Sequence, residues 1–212
     1  MFYWGMASAP KRRDRKRQDV SDRLYEAARD LFVARGFEAT TMDDIAAEAD
    51  VARATVFNHY KTKAAFLEEW GRQRRIKVAA ALSAEQADDL STPDQIRHYL
   101  RELARLNVES RRETAALMDA AMRHGDPLRG PALETELTKT VERGQQIGEL
   151  QPQVDPAVAG RLLAAGYFST VLRWVHDDPA PFDLAEQLDD MASLVLRGLV
   201  IASAAAARRG SA

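Results

Sequence analysis

The chain has 212 residues, 29% of them charged and 46% hydrophobic, with 30 Lys plus Arg against 32 Asp plus Glu. That length can bury a substantial core in one or two compact domains, and the absence of cysteine excludes a disulfide framework, a thiolate metal site and a cysteine nucleophile, as suits a reducing cytoplasm. No apolar run approaches the roughly 20 residues of a membrane span, and MFYWG is too short for a signal-peptide core, so a soluble cytoplasmic protein is expected.

Charge is unevenly spread. Residues 1–82 hold 16 bases and 12 acids, hence +4, whereas residues 83–212 hold 14 bases and 20 acids, hence −6. A basic surface attracts polyanionic nucleic acid through phosphate neutralisation and counterion release, so the N-terminal part is the one expected to approach DNA.

In chain order, MASAPKRR from Met6 reads as an ordinary flexible beginning and MFYWG as an upstream extension. Residues 1–17 are read as a flexible basic arm, since ASAPKRRDRKR carries six bases and one acid without apolar periodicity. It is either a solvated tail or an arm that enters the minor groove. A first helix follows over about Val20–Arg35, with Leu24, Ala27, Ala28, Leu31 and Phe32 as its apolar stripe and Gly36 as its stop.

Residues Thr40 to Lys63, TTMDDIAAEADVARATVFNHYKTK, read as two short helices joined by a tight turn. Thr41 is placed to cap the first, with Asp43 and Asp44 in the first turn where the helix dipole favours negative charge. Ile45, Ala46 and Ala49 share a face small enough for a second helix to cross closely, and Asp50 tolerates the left-handed turn between them. The second helix starts near Ala52 or Arg53. A helix-turn-helix of this kind holds one helix against the major groove.

Further helices are expected over about Lys63–Leu82, from a Thr92 cap with Pro93 to Asn107, and over Glu113–Arg123, Pro131–Ile147, Pro156–His176 and Asp183–Ala205. Breakers such as Gly125-Asp126-Pro127, Gly148 and DDPAPF separate them. The expected fold is all-α, with about nine helices: a helix-turn-helix domain over 18–64, a helical domain over 65–205 and a flexible tail over 206–212.

The stretch from about Leu24 to Leu67, with LYEAARDLFVARGFEATTMDDIA, TVFNHYKTK and AAFL, resembles the DNA-binding end of the tetracycline-repressor-like (TetR) family of bacterial transcription regulators. The resemblance implies a homodimeric transcriptional repressor whose C-terminal domain binds a small ligand and whose partner is an operator in double-stranded DNA. It places Arg53, Ala54, Thr55, Phe57 and Asn58 towards DNA and Val56 towards the core. Arg53 and Asn58 carry the donor patterns that read guanine and adenine edges. Thr40 or Thr41, Thr55, His59, Tyr60 and Lys63 resemble positions that meet the sugar-phosphate backbone. Phe57 stands where the family usually has tyrosine, which removes a phosphate donor; its ring either meets a thymine methyl or packs. Tyr60 is either a phosphate contact or core.

The resemblance also implies a dimer interface on the last two helices, carried here by Leu162, Ala165, Phe168, Leu172, Leu188, Met191, Val195 and Leu199, with Val158, Ser169, Val175, Leu194, Gly198 and Ala202 on the same stripes. Trp70, Tyr99, Leu103, Leu117, Met118, Met122, Tyr167 and Trp174 are candidates for an apolar effector pocket; each also fits an ordinary core position. No cofactor is implied. His98, His124 and His176 lack ligand spacing, so no metal site is expected. No nucleophile motif or phosphate loop appears, so an enzyme is not expected. The alternative is a helical small-molecule-binding or catalytic protein with an incidental helix-turn-helix.

Overall fold

The computed structural model describes residues 12–85, 89–124 and 132–200. The expectations for the start of the chain, the Gly125-Asp126-Pro127 break, Pro131, Ala202 and the tail lie outside these residues. Among them the chain forms nine α-helices: α1 Arg12–Arg35, α2 Met42–Glu48, α3 Arg53–His59, α4 Ala64–Ala84, α5 Thr92–Glu109, α6 Arg111–His124, α7 Ala132–Gln146, α8 Pro156–His176 and α9 Leu184–Arg197. The one extended pairing among the described residues is an isolated antiparallel bridge between Leu150 and Val200.

Three of the boundaries that differ from expectation have an identifiable physical reason. Helix α1 begins at Arg12, inside the segment read as a flexible arm. After Pro10, the run RRDRKRQ consists mostly of good helix formers, so the helix propagates back beyond its apolar stripe. The cap of α5 is Ser91, whose hydroxyl accepts the Asp94 N–H, while Thr92 is buried as the first helical residue and Pro93 follows it. Helix α9 stops at Arg197 rather than Ala205 because Gly198 forms its cap and Leu199 accepts the Gln151 N–H at 2.7 Å, drawing the chain alongside Leu150.

Helices α1 to α3 and the start of α4 form one packed headpiece. Leu24, Ala28, Leu31 and Phe32 of α1 are buried, and Gly36, at φ 87°, takes the left-handed conformation that ends the helix and returns Phe37 to the core. Phe32 meets Phe37 and Phe66 at centroid distances of 5.0 and 6.4 Å, and Tyr60 stacks on Phe66 at 3.9 Å. Helix α4 carries Phe66 and Leu67 in the headpiece and Trp70, Arg74 and Val78 towards the second domain, so one rigid rod serves both. Beyond it, α5 packs against α4 and α9, α6 against α1, α4 and α8, and α7 and α9 against α8. The α7–α8 crossing is close: a Cβ on Gly160 would lie 2.2 Å from Thr138 Oγ1 and 2.9 Å from its backbone N.

Candidate nucleic-acid interface and effector core

The helix-turn-helix is built by local hydrogen bonds. Thr41 Oγ1 accepts the Asp44 N–H at 3.1 Å while the Thr41 N–H donates to Asp44 Oδ2 at 2.8 Å, a reciprocal capping box. Hydrogen bonds from the Thr41 hydroxyl and backbone hold the Asp44 carboxyl below its ordinary range. Asp50 adopts φ 50°, and the Val51 N–H donates to Ala46 O at 3.0 Å, which turns the chain into α3. Val56 is fully buried and anchors α3 against α2, leaving Arg53, Ala54 and Asn58 exposed and Thr55, Phe57 and His59 half-buried. Three polar or small positions of this short helix, Arg53, Ala54 and Asn58, thus face solvent, where an external partner can meet them.

In the free chain Arg53 is lightly parked. Its Nη1 donates to Asp43 Oδ2 at 3.0 Å and its guanidinium lies 5.6 Å from the Phe57 ring centroid. Both charges are well exposed, so the pair is worth at most about 1 kcal/mol and yields readily to a base edge. Phe57 serves as a partial platform for Arg53, which neither reading of its ring anticipated. Burial, and then the nearby Arg17, hold His59 below its ordinary value, which favours the neutral imidazole in the free chain.

Three expected backbone-contact residues point into the protein. Thr40 is buried, donating from Oγ1 to Gly36 O at 2.9 Å. Tyr60 is buried with its hydroxyl 3.1 Å from Ser21 Oγ. Lys63 donates to Phe37 O at 2.6 Å and Thr40 O at 3.0 Å, 4.2 Å from the Phe37 ring centroid. The turn after Gly36 leaves carbonyls without helical partners, and the Lys63 ammonium satisfies them. Thr41, by contrast, remains exposed.

The candidate effector residues are dispersed around a polar centre absent from the sequence reading. Trp70, Leu103, Leu117, Met118, Tyr167 and Trp174 are buried, while Tyr99 and Met122 are half-buried. Between them lies Arg74, 7% exposed, donating to Asn107 Oδ1 at 3.0 Å, Ser110 Oγ at 2.8 Å and Thr114 Oγ1 at 3.0 Å. Asn107 Nδ2 in turn donates to the Tyr167 hydroxyl at 2.9 Å. Glu113 accepts the Trp70 indole N–H at 2.7 Å and lies 3.5 Å from Arg74 Nη2 and 3.9 Å from Arg29 Nε. A signal for Arg74 was present: it replaces an apolar residue in the i, i+4 stripe Phe66–Trp70–Arg74–Val78. Tyr99 is tied elsewhere, to Glu136, and burial together with that carboxylate pushes its phenol far up.

On α8 and α9, Leu162 is 55% and Leu194 69% exposed, with Val158 exposed too. Ala165, Phe168, Leu172, Met191 and Val195 are half-buried. Leu188 at 0% and Leu199 at 3% belong to the chain's own core and face no partner, because the inner edge of the α9 stripe packs on α5 and α8.

No helix among the described residues is long and apolar enough to cross a membrane. A family model of bacterial regulatory proteins, tetR family, matches residues 24–70, from within α1 through α2 and α3 to the start of α4. The transcriptional repressor DhaR of Mycobacterium sp. (strain GP1) is 24% identical over 174 residues, covering 74% of this chain and 83% of that protein. The regulator YvkB of Bacillus subtilis (strain 168) is 33% identical over 69 residues, 32% of this chain, so the match spans only 36% of that relative's length. Thermus thermophilus FadR, a TetR-family repressor solved with lauroyl-CoA, is 29% identical with a TM-score of 0.69, covering 85% of this chain and 95% of that one. With its capped helix-turn-helix, its all-α second domain and these relatives, the chain belongs to the tetR family of bacterial regulatory proteins.

Proposed function

We propose that the chain is a homodimeric, ligand-responsive transcriptional regulator, a cytoplasmic repressor that a small molecule releases from a palindromic operator, and that it works without a catalytic step. The observation that carries this reading is the exposed face of α3, where Arg53, Ala54 and Asn58 stand exposed on a helix locked by buried Val56. Arg53 and Asn58 read base edges, Thr41, Thr55 and His59 meet the backbone, and Phe57 supports Arg53. Thr40, Tyr60 and Lys63 act from inside, by holding the headpiece in shape.

One α3 contacts few base pairs. A twofold copy paired through the exposed apolar face of α8 and α9, with Leu162 and Leu194 at its centre, presents two such helices roughly 34–36 Å apart. An effector among α4, α5, α6 and α8 shifts α4, and with it the half-site spacing, through its different affinity for the two states. The relative solved with lauroyl-CoA supports an effector in this fold without naming the one used here.

The test is a mobility-shift assay with DNA flanking the protein's own gene, repeated over a salt series and with a ligand panel. Specific binding that a ligand releases is expected. Binding to random DNA as tight as to that fragment at every salt concentration would falsify the reading.

A further inference from the structure

The Arg74 centre has more donors than acceptors. Arg74 is charged and more than nine-tenths buried, yet among the described residues its Nε has no hydrogen-bond acceptor. Its three close partners, Asn107, Ser110 and Thr114, are neutral. The nearest carboxylate, Glu113, offers a single oxygen at 3.5 Å, already engaged by the Trp70 indole at 2.7 Å, and stands near Arg29 as well. The Tyr167 hydroxyl accepts from Asn107, which leaves its own proton without an acceptor among the described residues. Burial pushes the Tyr167 phenol up, so it remains a neutral donor rather than an anion balancing Arg74.

Desolvating a cation without a matched anion is costly, and an orphaned buried donor costs about 1–3 kcal/mol more. A purely mechanical tie between α4, α5 and α8 needs no such excess. The free Nε edge of a guanidinium, with the adjoining Nη2, is the edge that pairs with the two oxygens of a carboxylate. Nη2 here donates to the hydroxyls of Ser110 and Thr114, which can turn to make room, and lies 3.5 Å from Glu113 Oε1. One helical turn away on the same faces lie the buried side chains of Leu103, Met118 and Val171, an apolar wall for an organic body.

We propose that this centre is the head-group end of the effector site and that the effector is an organic carboxylate, its oxygens taken by the Nε–Nη2 edge of Arg74, with the Tyr167 hydroxyl as the second unsatisfied donor of the same centre. The inference rests on the regulator reading for its consequence at DNA. A carboxylate also explains how the signal leaves the site: it competes with Glu113 for Arg74, and Glu113 holds Trp70 of α4 and faces Arg29 of α1.

The experiment titrates the full chain by calorimetry with hexanoate, decanoate, benzoate and phenylacetate and with the uncharged amide of each. At least one carboxylate is expected to bind, at least tenfold more tightly than its amide. Arg74→Gln should bring that ratio to about one, and Tyr167→Phe, which keeps the ring in the core, should shrink it severalfold. Equal affinity for acid and amide, no binding by any carboxylate of the panel, or an undiminished ratio in Tyr167→Phe overturns the proposal. The mobility shift run on the same samples separates the two readings. Absence of operator binding by the ligand-free chain counts against the regulator, whereas operator binding by that chain without carboxylate preference counts against this inference alone.

Discussion

Lys63 reaches back 26 residues to Phe37: its ammonium donates to the Phe37 carbonyl at 2.6 Å and lies 4.2 Å from the centroid of that ring, with the Thr40 carbonyl accepting at 3.0 Å. A lysine beside a recognition helix invites a phosphate role, and here it is instead the clasp between the end of α1 and the start of α4. Lys63→Met should therefore lower stability by about 1–3 kcal/mol, the range for leaving buried acceptors without a partner. The salt dependence of operator binding should change little. Urea denaturation and a salt titration together check this; a salt slope reduced by about one with unchanged stability would return Lys63 to the phosphate backbone.

The Arg53–Asp43 pair makes the opposite case. Because both side chains are exposed, Asp43→Asn should alter stability by less than about 0.5 kcal/mol. It should also tighten DNA binding, since Arg53 no longer leaves a carboxylate to reach a base. Arg53→Ala should cost about 1–3 kcal/mol at one operator position and relax the preference there. Binding to a set of single-base operator variants measures both.

Leu162 and Leu194 leave more apolar surface in water than any of the α8 or α9 residues around them. Leu162→Glu with Leu194→Glu should give a monomer by sedimentation velocity, with near-native helix content and operator binding weakened at least tenfold. A double variant that stays dimeric places the interface elsewhere. Leu188→Ala should behave differently, costing about 2–5 kcal/mol of monomer stability, because its side chain is fully buried.

Asp189 of α9 receives a two-pronged grip from Arg97 of α5, Nε at 2.9 Å and Nη2 at 2.6 Å. Hydrogen bonding to Arg97, and then the charges of Arg97 and Arg101, hold its carboxyl below its ordinary 3.8. The folded value lies below the unfolded one, so the stabilisation is present above about pH 4 and is lost as pH falls through the folded value. Both partners keep a solvent face, which limits it to about 1 kcal/mol. Melting curves from pH 3 to 7 should lose part of their acid limb in Asp189→Asn; an identical limb removes Asp189 from the account.

The helix-turn-helix was legible because its determinants are local. A cap, its acidic first turn, a residue tolerant of positive φ and a short apolar face all act within a few residues, and Thr41, Asp44, Asp50 and Val56 each occupy the expected place. Helix ends were less legible. Arg12 lies well before the apolar stripe of α1, and α9 ends at its Gly198 cap where the following Val200 bridges to Leu150, 50 residues back in the sequence. The direction of a polar side chain was least legible, since Lys63 and Arg53 look alike as residues and differ only in what surrounds them.

The amino-acid sequence by itself determined the all-α class, the position of the DNA reader and the stripes that each helix buries, because periodicity, caps and breakers are written at short range. Only the tertiary structure decided which members of each stripe remain outside, separating Leu194 from Leu188 on one helix. It also decided that Thr40, Tyr60 and Lys63 turn inward and that Arg74 sits among Asn107, Thr114 and Tyr167. Those outcomes depend on helices that meet across long sequence separations, where burial and hydrogen-bond geometry assign each side chain its role.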